Sequence, residues 1–156
     1  MRRVVAVLAV SLAVLLATVS WAGDFKVYPG AKLDETLTKE AVQMSKDAPG
    51  GDMYDVAIYS TRDSFEKVCA FYKGLGQEYE MPSSPKSVKL PSGTELKTAY
   101  FLFGGAKDLP SAKSWIKVQN PLISHQKVQV YTPGMDKPSY GEVPGVTTIM
   151  HMLKKK

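Results

Sequence analysis

Two hydrophobic rhythms organise this chain. Tyr54 to Ser60 alternates with a period of two, placing Tyr54, Val56 and Ile58 on one face, and predicts a strand at the centre of a sheet. Directly after it, Phe65, Val68, Cys69, Tyr72 and Leu75 recur at helical spacing, with Glu66, Lys67 and Lys73 on the other side. That stripe predicts a helix over 63–75. Asp63 is placed to cap its first turn, Glu66 stands at the capping-box position, and Gly74 and Gly76 offer left-handed residues to end it. At about 1.5 Å per residue such a helix spans about 18 Å, too short to be stable alone, so its apolar stripe must lie on a sheet.

The remaining segments predict that sheet. Asp24 to Tyr28 reads as a brief strand ended by Pro29-Gly30. In 31–46, Leu33, Leu37, Ala41 and Met44 recur at helical intervals, while Thr36, Leu37, Thr38 and Val42 suit a strand, and the reading leans to strand or mixed structure. The compositions of 47–52, 77–86 and 104–110 predict loops. Ser87 to Leu90 and Glu95 to Phe103 predict a hairpin joined at Pro91-Ser92-Gly93-Thr94, and Tyr100 to Phe103 carries apolar groups on both faces. Trp115 to Gln119 and Gln126 to Tyr131 follow as strands, 133–144 as an irregular link, and Gly145 to Leu153 as a last strand before a fraying Lys154 to Lys156. The fold class is α+β: a two-layer sandwich with one main helix, about 63–75, packed on a twisted, mainly antiparallel sheet.

The first residues change where this domain is expected to work. Met1-Arg2-Arg3, an uncharged apolar run over 4–19 and small residues at Ser20 and Ala22 have the layout of a cleaved secretory signal peptide over residues 1–22. Residues 23–156 then form a single exported domain, periplasmic or extracellular, with no stable transmembrane segment after cleavage. The rival reading, an uncleaved anchor, has an apolar run shorter than the roughly 20 residues a spanning helix needs. Loss of Arg2 and Arg3 takes the formal charge from +5 to +3, and only Lys154 to Lys156 form a basic block. Without basic residues interleaved with aromatics, a nucleic-acid partner is disfavoured. The single cysteine, Cys69, excludes an intramolecular disulfide, and its place on the helical stripe makes it a small hydrophobe of the core.

Val27 to Ala31 reads VYPGA, and the strand ending YST at Tyr59-Ser60-Thr61 runs into RDSFEKVCAFYK at Arg62 to Lys73. This resembles small exported bacterial proteins of uncharacterised function that share a YPGA element and a TxDSxEKVxxFYK helix. The likeness covers Tyr28 to Lys73. It implies a small α+β domain and assigns no catalytic residue.

Candidate chemistry is sparse. Ser64 and Lys67 have the Ser-x-x-Lys spacing of penicillin-recognising enzymes, but so do Ser83 with Lys86, Ser114 with Lys117 and Ser124 with Lys127, and the SDN and KTG partners are missing. His125 and His151 lack a GxSxG elbow. Met150-His151-Met152 offers copper-type ligands, yet in a strand His151 faces away from both methionines. Asp52 and Asp55 lie near Gly50-Gly51 without EF-hand spacing. The expectation is a non-catalytic binding or accessory module of the cell envelope with no cofactor and no metal, whose partner is an envelope protein or a small ligand. Tyr59, Tyr100 and Tyr131 are the candidate binding residues, around the aromatic strand. The alternatives are a small envelope enzyme with an unrecognised active site, and a membrane- or wall-binding protein using Lys154 to Lys156.

Overall fold

The structure is a computed structural model and describes residues 24–46, 48, 50–124 and 141–156. The signal-peptide reading of 1–22 and cleavage before Gly23 lie outside these residues, as do His125, the strand expected over 126–131 with Tyr131, and most of the irregular link.

Among the described residues the chain is mixed α and β, with two α-helices and an open sheet whose pairings are all antiparallel. In chain order, β1 (Lys32–Leu33) leads into α1 (Glu35–Lys46), β2 (Tyr54–Thr61) and α2 (Phe65–Lys73). Then come β3 (Gln77–Tyr79), β4 (Ser87–Lys89), β5 (Glu95–Leu102) and β6 (Ser114–Asn120). A small ribbon of β7 (Leu122–Ser124) and β8 (Gly141–Val143) precedes β9 (Thr147–Lys154). The main sheet runs β1-β2-β9-β6-β5-β3, with β4 also on β5. The last strand therefore occupies the middle. The strand expected to be central, β2, stands one place in from the edge, because β1 is only two residues long and β9 takes its other side.

Alternation and register assign the two faces. Tyr59, Ile149, Val118 and Ala99 are successive cross-strand partners, as are His151, Ile116 and Phe101. All of these but His151 join the core with Val68, Cys69 and Tyr72 of α2. Phe25, Tyr28 and Ala31 pack there too, so Asp24 to Tyr28, expected as a strand, contributes side chains to the core without ladder pairing. Tyr28 carbonyl accepts from Ala31 N–H across Pro29-Gly30, with Gly30 at φ 84, the turn that the YPGA sequence asks for.

The ends of α2 differ from the sequence reading. Ser64, not Asp63, is the N-cap, and its Oγ accepts from Lys67 N–H at 3.3 Å. Asp63 instead ties the helix start to the core: its carboxylate accepts from Tyr28 hydroxyl at 2.8 Å and from Lys67 Nζ at 2.9 Å, and its carbonyl from Thr147 hydroxyl at 2.7 Å. Glu66 pairs outward with Lys97 at 2.7 Å rather than closing a capping box. Gly74 is right-handed, at φ −77, and Gly76 has no positive φ. Gly76 is needed for space, since a Cβ there would lie 2.8 Å from Leu102 carbonyl oxygen.

The segment 31–46 is mixed, a two-residue strand followed by a helix, so of the two expected forms, strand or mixed structure, it takes the second. Asp34 caps α1 by accepting from Leu37 N–H at 3.0 Å, and its own N–H donates to Ile58 carbonyl at 2.8 Å. Thr38 Oγ1 accepts from Ile58 N–H, so α1 seals the edge of β2 where β1 stops. The β propensity of Thr36 and Thr38 yields to that cap and to the Leu37-Ala41-Met44 stripe. Within the expected loop 77–86, Gln77–Tyr79 pairs with β5, and within the expected link, Gly141–Val143 pairs with β7. Lys154 and Lys155 do not fray: their N–H groups donate to Lys113 and Met53 carbonyls.

Candidate functional site

The sheet face opposite α2 carries the more open chemistry. On it, α1 stands beside the sheet and leaves a groove of about 400 Å³. Ile58, Lys117, Gln119, Thr148 and Met150 form the floor, which the register requires, since Ile58 pairs with Met150, Met150 with Lys117, and Gln119 with Thr148. Leu37, Glu40, Ala41 and Met44 of α1 make one wall, and Leu96, Leu122 and Ile123 line the rest. A mostly apolar concavity with a few convergent polar groups is the usual form of a small-molecule site.

Two of those polar groups, Lys117 and Glu40, stand out for lacking partners among the described residues. Lys117 is largely buried, and that burial pushes its ammonium below the ordinary lysine range. No hydrogen bond or ion pair to its side chain is formed among the described residues. Glu40 Oε1 is shut off from solvent without a donor. The two line the same groove from opposite elements and do not pair with each other.

The tyrosines expected to bind are not brought together. Tyr59 is on the α2 face, against the core and 6.0 Å from the Phe25 ring. Tyr100 is on the groove face, paired with Lys117, with its ring 6.3 Å from that of Trp115, which lies 6.4 Å from Tyr54. An aromatic cluster thus continues the groove face, and the buried Trp115 Nε1 has no acceptor. Tyr131 lies outside the described residues. Sequence reasoning missed Lys117 and Glu40. The signal for Lys117 was its place among Trp115 and Gln119 on one face of an alternating strand, and Glu40 follows from α1 once Asp34 is read as its cap.

The other candidate groups have structural partners. Lys67 is held by Asp63 while Ser64 Oγ caps the helix, so the Ser-x-x-Lys pair has no free base. His151 Nε2 is 2.9 Å from Ser114 Oγ, the spacing of a nucleophile and base. However, the ring stacks on Phe25 at 3.8 Å, burial lowers its pKa to about 4, and no carboxylate among the described residues bonds its other nitrogen. A base so weak does little to activate a hydroxyl at neutral pH. Met150 and Met152 are on the opposite face from His151, and no group of three or more His, Cys, Asp or Glu side chains converges among the described residues. Asp55 pairs with Lys155 at 3.9 Å. Among the described residues no helix is long and apolar enough to cross a membrane. No family model, no curated protein and no solved structure matches the chain.

Proposed function

We propose that this chain is an exported, non-catalytic binding or accessory module of the cell envelope that holds a small, mainly apolar ligand in the groove beneath α1. The observation that carries the reading is the groove itself, apolar on its walls and with an unpaired ammonium, Lys117, on its floor. Desolvating an ammonium without a partner destabilises the folded protein, and a ligand that supplies the partner removes that penalty. In this reading α2 and the sheet make the structural two-layer sandwich, α2 being its main helix, while α1 serves as a wall. The charged N-terminus, the apolar run and Ser20-Trp21-Ala22 support export, and the YPGA and RDSFEKVCAFYK elements support kinship with the small exported bacterial proteins they resemble.

The test is methyl-resolved NMR of the purified protein during titration with apolar small molecules, together with native mass spectrometry for co-purifying compounds. Shifts confined to Ala41, Ile58, Leu122 and Met150 methyls are expected. Ligand-induced shifts elsewhere and none in the groove would remove this reading, and turnover of a bound compound would replace it with an enzyme. N-terminal sequencing of exported material checks the processing, with Gly23 as the expected first residue.

A further inference from the structure

We propose that the ligand of the α1 groove is a zwitterion with an apolar body, an apolar amino acid or short peptide, whose carboxylate meets Lys117 and whose ammonium meets Glu40. This rests on the reading of the groove as a binding site and adds the chemistry of its occupant.

The groove carries one charge-bearing side chain on its floor and another on its α1 wall. Lys117 rises from β6 on the sheet floor, and Glu40 comes from α1, one turn beyond Leu37. Glu40 Oε1 is occluded without a donor, Lys117 has no acceptor among the described residues, and no ion pair joins the two. A purely anionic ligand would satisfy the lysine and leave the occluded Glu40 oxygen without a donor. A purely cationic ligand would leave the lysine unpaired. A neutral molecule with separated charges satisfies both, and Ala41, Ile58 and Met150 between them offer only apolar contact. Gln119, beside Lys117 on the floor, adds a side-chain amide that can donate to the carboxylate, while the Thr148 hydroxyl donates to the Gln119 backbone carbonyl at 3.4 Å. Charge-assisted hydrogen bonds are about twice as strong as neutral ones, so such a site discriminates between charged and blocked ends.

The experiment uses three matched probes and calorimetry on the purified protein: leucyl-leucine, its N-acetyl form and its C-terminal amide. Free leucine is the fourth probe and separates an amino-acid site from a peptide site. Wild-type protein is expected to bind leucyl-leucine at least tenfold more tightly than either blocked form. In Glu40→Gln the loss on acetylation should shrink to less than threefold, and in Lys117→Met the loss on amidation should do the same. The comparison of probes on wild-type protein stands even if a variant fails to fold. Equal affinity for all three dipeptides, with groove methyl shifts in each case, would overturn the zwitterion and leave the binding site in place. Tighter binding of one blocked form would overturn it in favour of a singly charged ligand. No groove shift with any probe, apolar ones included, would remove both readings.

Discussion

Replacing Lys117 by methionine should make the unliganded protein more stable. Methionine matches the unbranched lysine side chain out to its ε-carbon and lacks only the terminal nitrogen, so the change removes the charge with little change in packing. The side chain is largely buried and lines a floor with Ile58 and Met150, and its ammonium has no acceptor among the described residues. Burying a polar group without a partner costs about 1–3 kcal/mol in mutational data, and partial solvation puts this site at the low end, so a gain of about 1 kcal/mol is expected. For a domain of this size that raises Tm by about 3–5 °C. The pH dependence gives an independent check. Burial lowers the folded-state pKa, so the charged lysine destabilises the fold below that value. As pH rises through it toward the ordinary value of 10.5, the folded protein releases the proton while the unfolded chain keeps it, and wild-type stability gains. Lys67, Lys86 and Lys97 are raised by Asp63, Glu80 and Glu66 and respond in the opposite sense, but both proteins share them and they cancel in the difference. The advantage of Lys117→Met should therefore narrow on the alkaline side. Urea unfolding of both proteins at neutral and alkaline pH measures it. A variant less stable than wild type at neutral pH would show that the ammonium has a partner and refute the reasoning.

Val68 is fully buried against Phe101 and Ile116 in the α2 core, so Val68→Asp should cost several kcal/mol and abolish the cooperative transition seen by calorimetry. Cys69 is 7% exposed and its thiol is pushed up to about 12 by burial, so a thiol reagent should label it only on unfolding, followed by mass shift against urea concentration. Gly76→Ala forces a Cβ to 2.8 Å from Leu102 carbonyl and should lower stability by about 1–3 kcal/mol, read from the denaturation midpoint. His151 should titrate near 4 by NMR; its contribution to stability is present above its ordinary 6.5 and lost as pH falls from there toward about 4.

The elements with strong local signals were legible from the residues. The alternation of β2, the apolar stripe of α2 and the Pro91 to Thr94 turn each contain their own instruction, and each formed within a few residues of the expected place. Position in the sheet was not legible, because β9 reaches the centre by pairing with two strands remote in sequence. Local competition explains why 31–46 reads as strand or mixed structure: threonine propensity favours a strand, while the Asp34 cap and the Leu37-Ala41-Met44 stripe favour the helix that follows β1. Glu40 is hidden by that ambiguity, because its direction depends on where the helix begins. Lys117 was hidden differently, since an alternating strand shows which residues share a face but not which face a distant helix will half-cover. Tyr59 and Tyr100 were grouped by type and nearness to aromatic sequence, whereas the register sends them to opposite faces.

The central place of β9 makes the protein divisible. Among the described residues β2 and β6 are joined in the sheet only through Thr147–Lys154, which meets Tyr54–Thr61 on one side and Ser114–Gln119 on the other. A fragment ending before Gly141 would present two bare strand edges flanking a vacant slot, with Val118, Tyr59 and Ile116 deprived of their neighbours Ile149 and His151. A separate peptide of residues 141–156 brings the missing ladder on both sides at once. The two pieces should recombine into a folded sheet whose stability rises with peptide concentration, so that the chain can be run as a two-component complementation pair with the groove floor, Thr148 and Met150, supplied by the smaller piece.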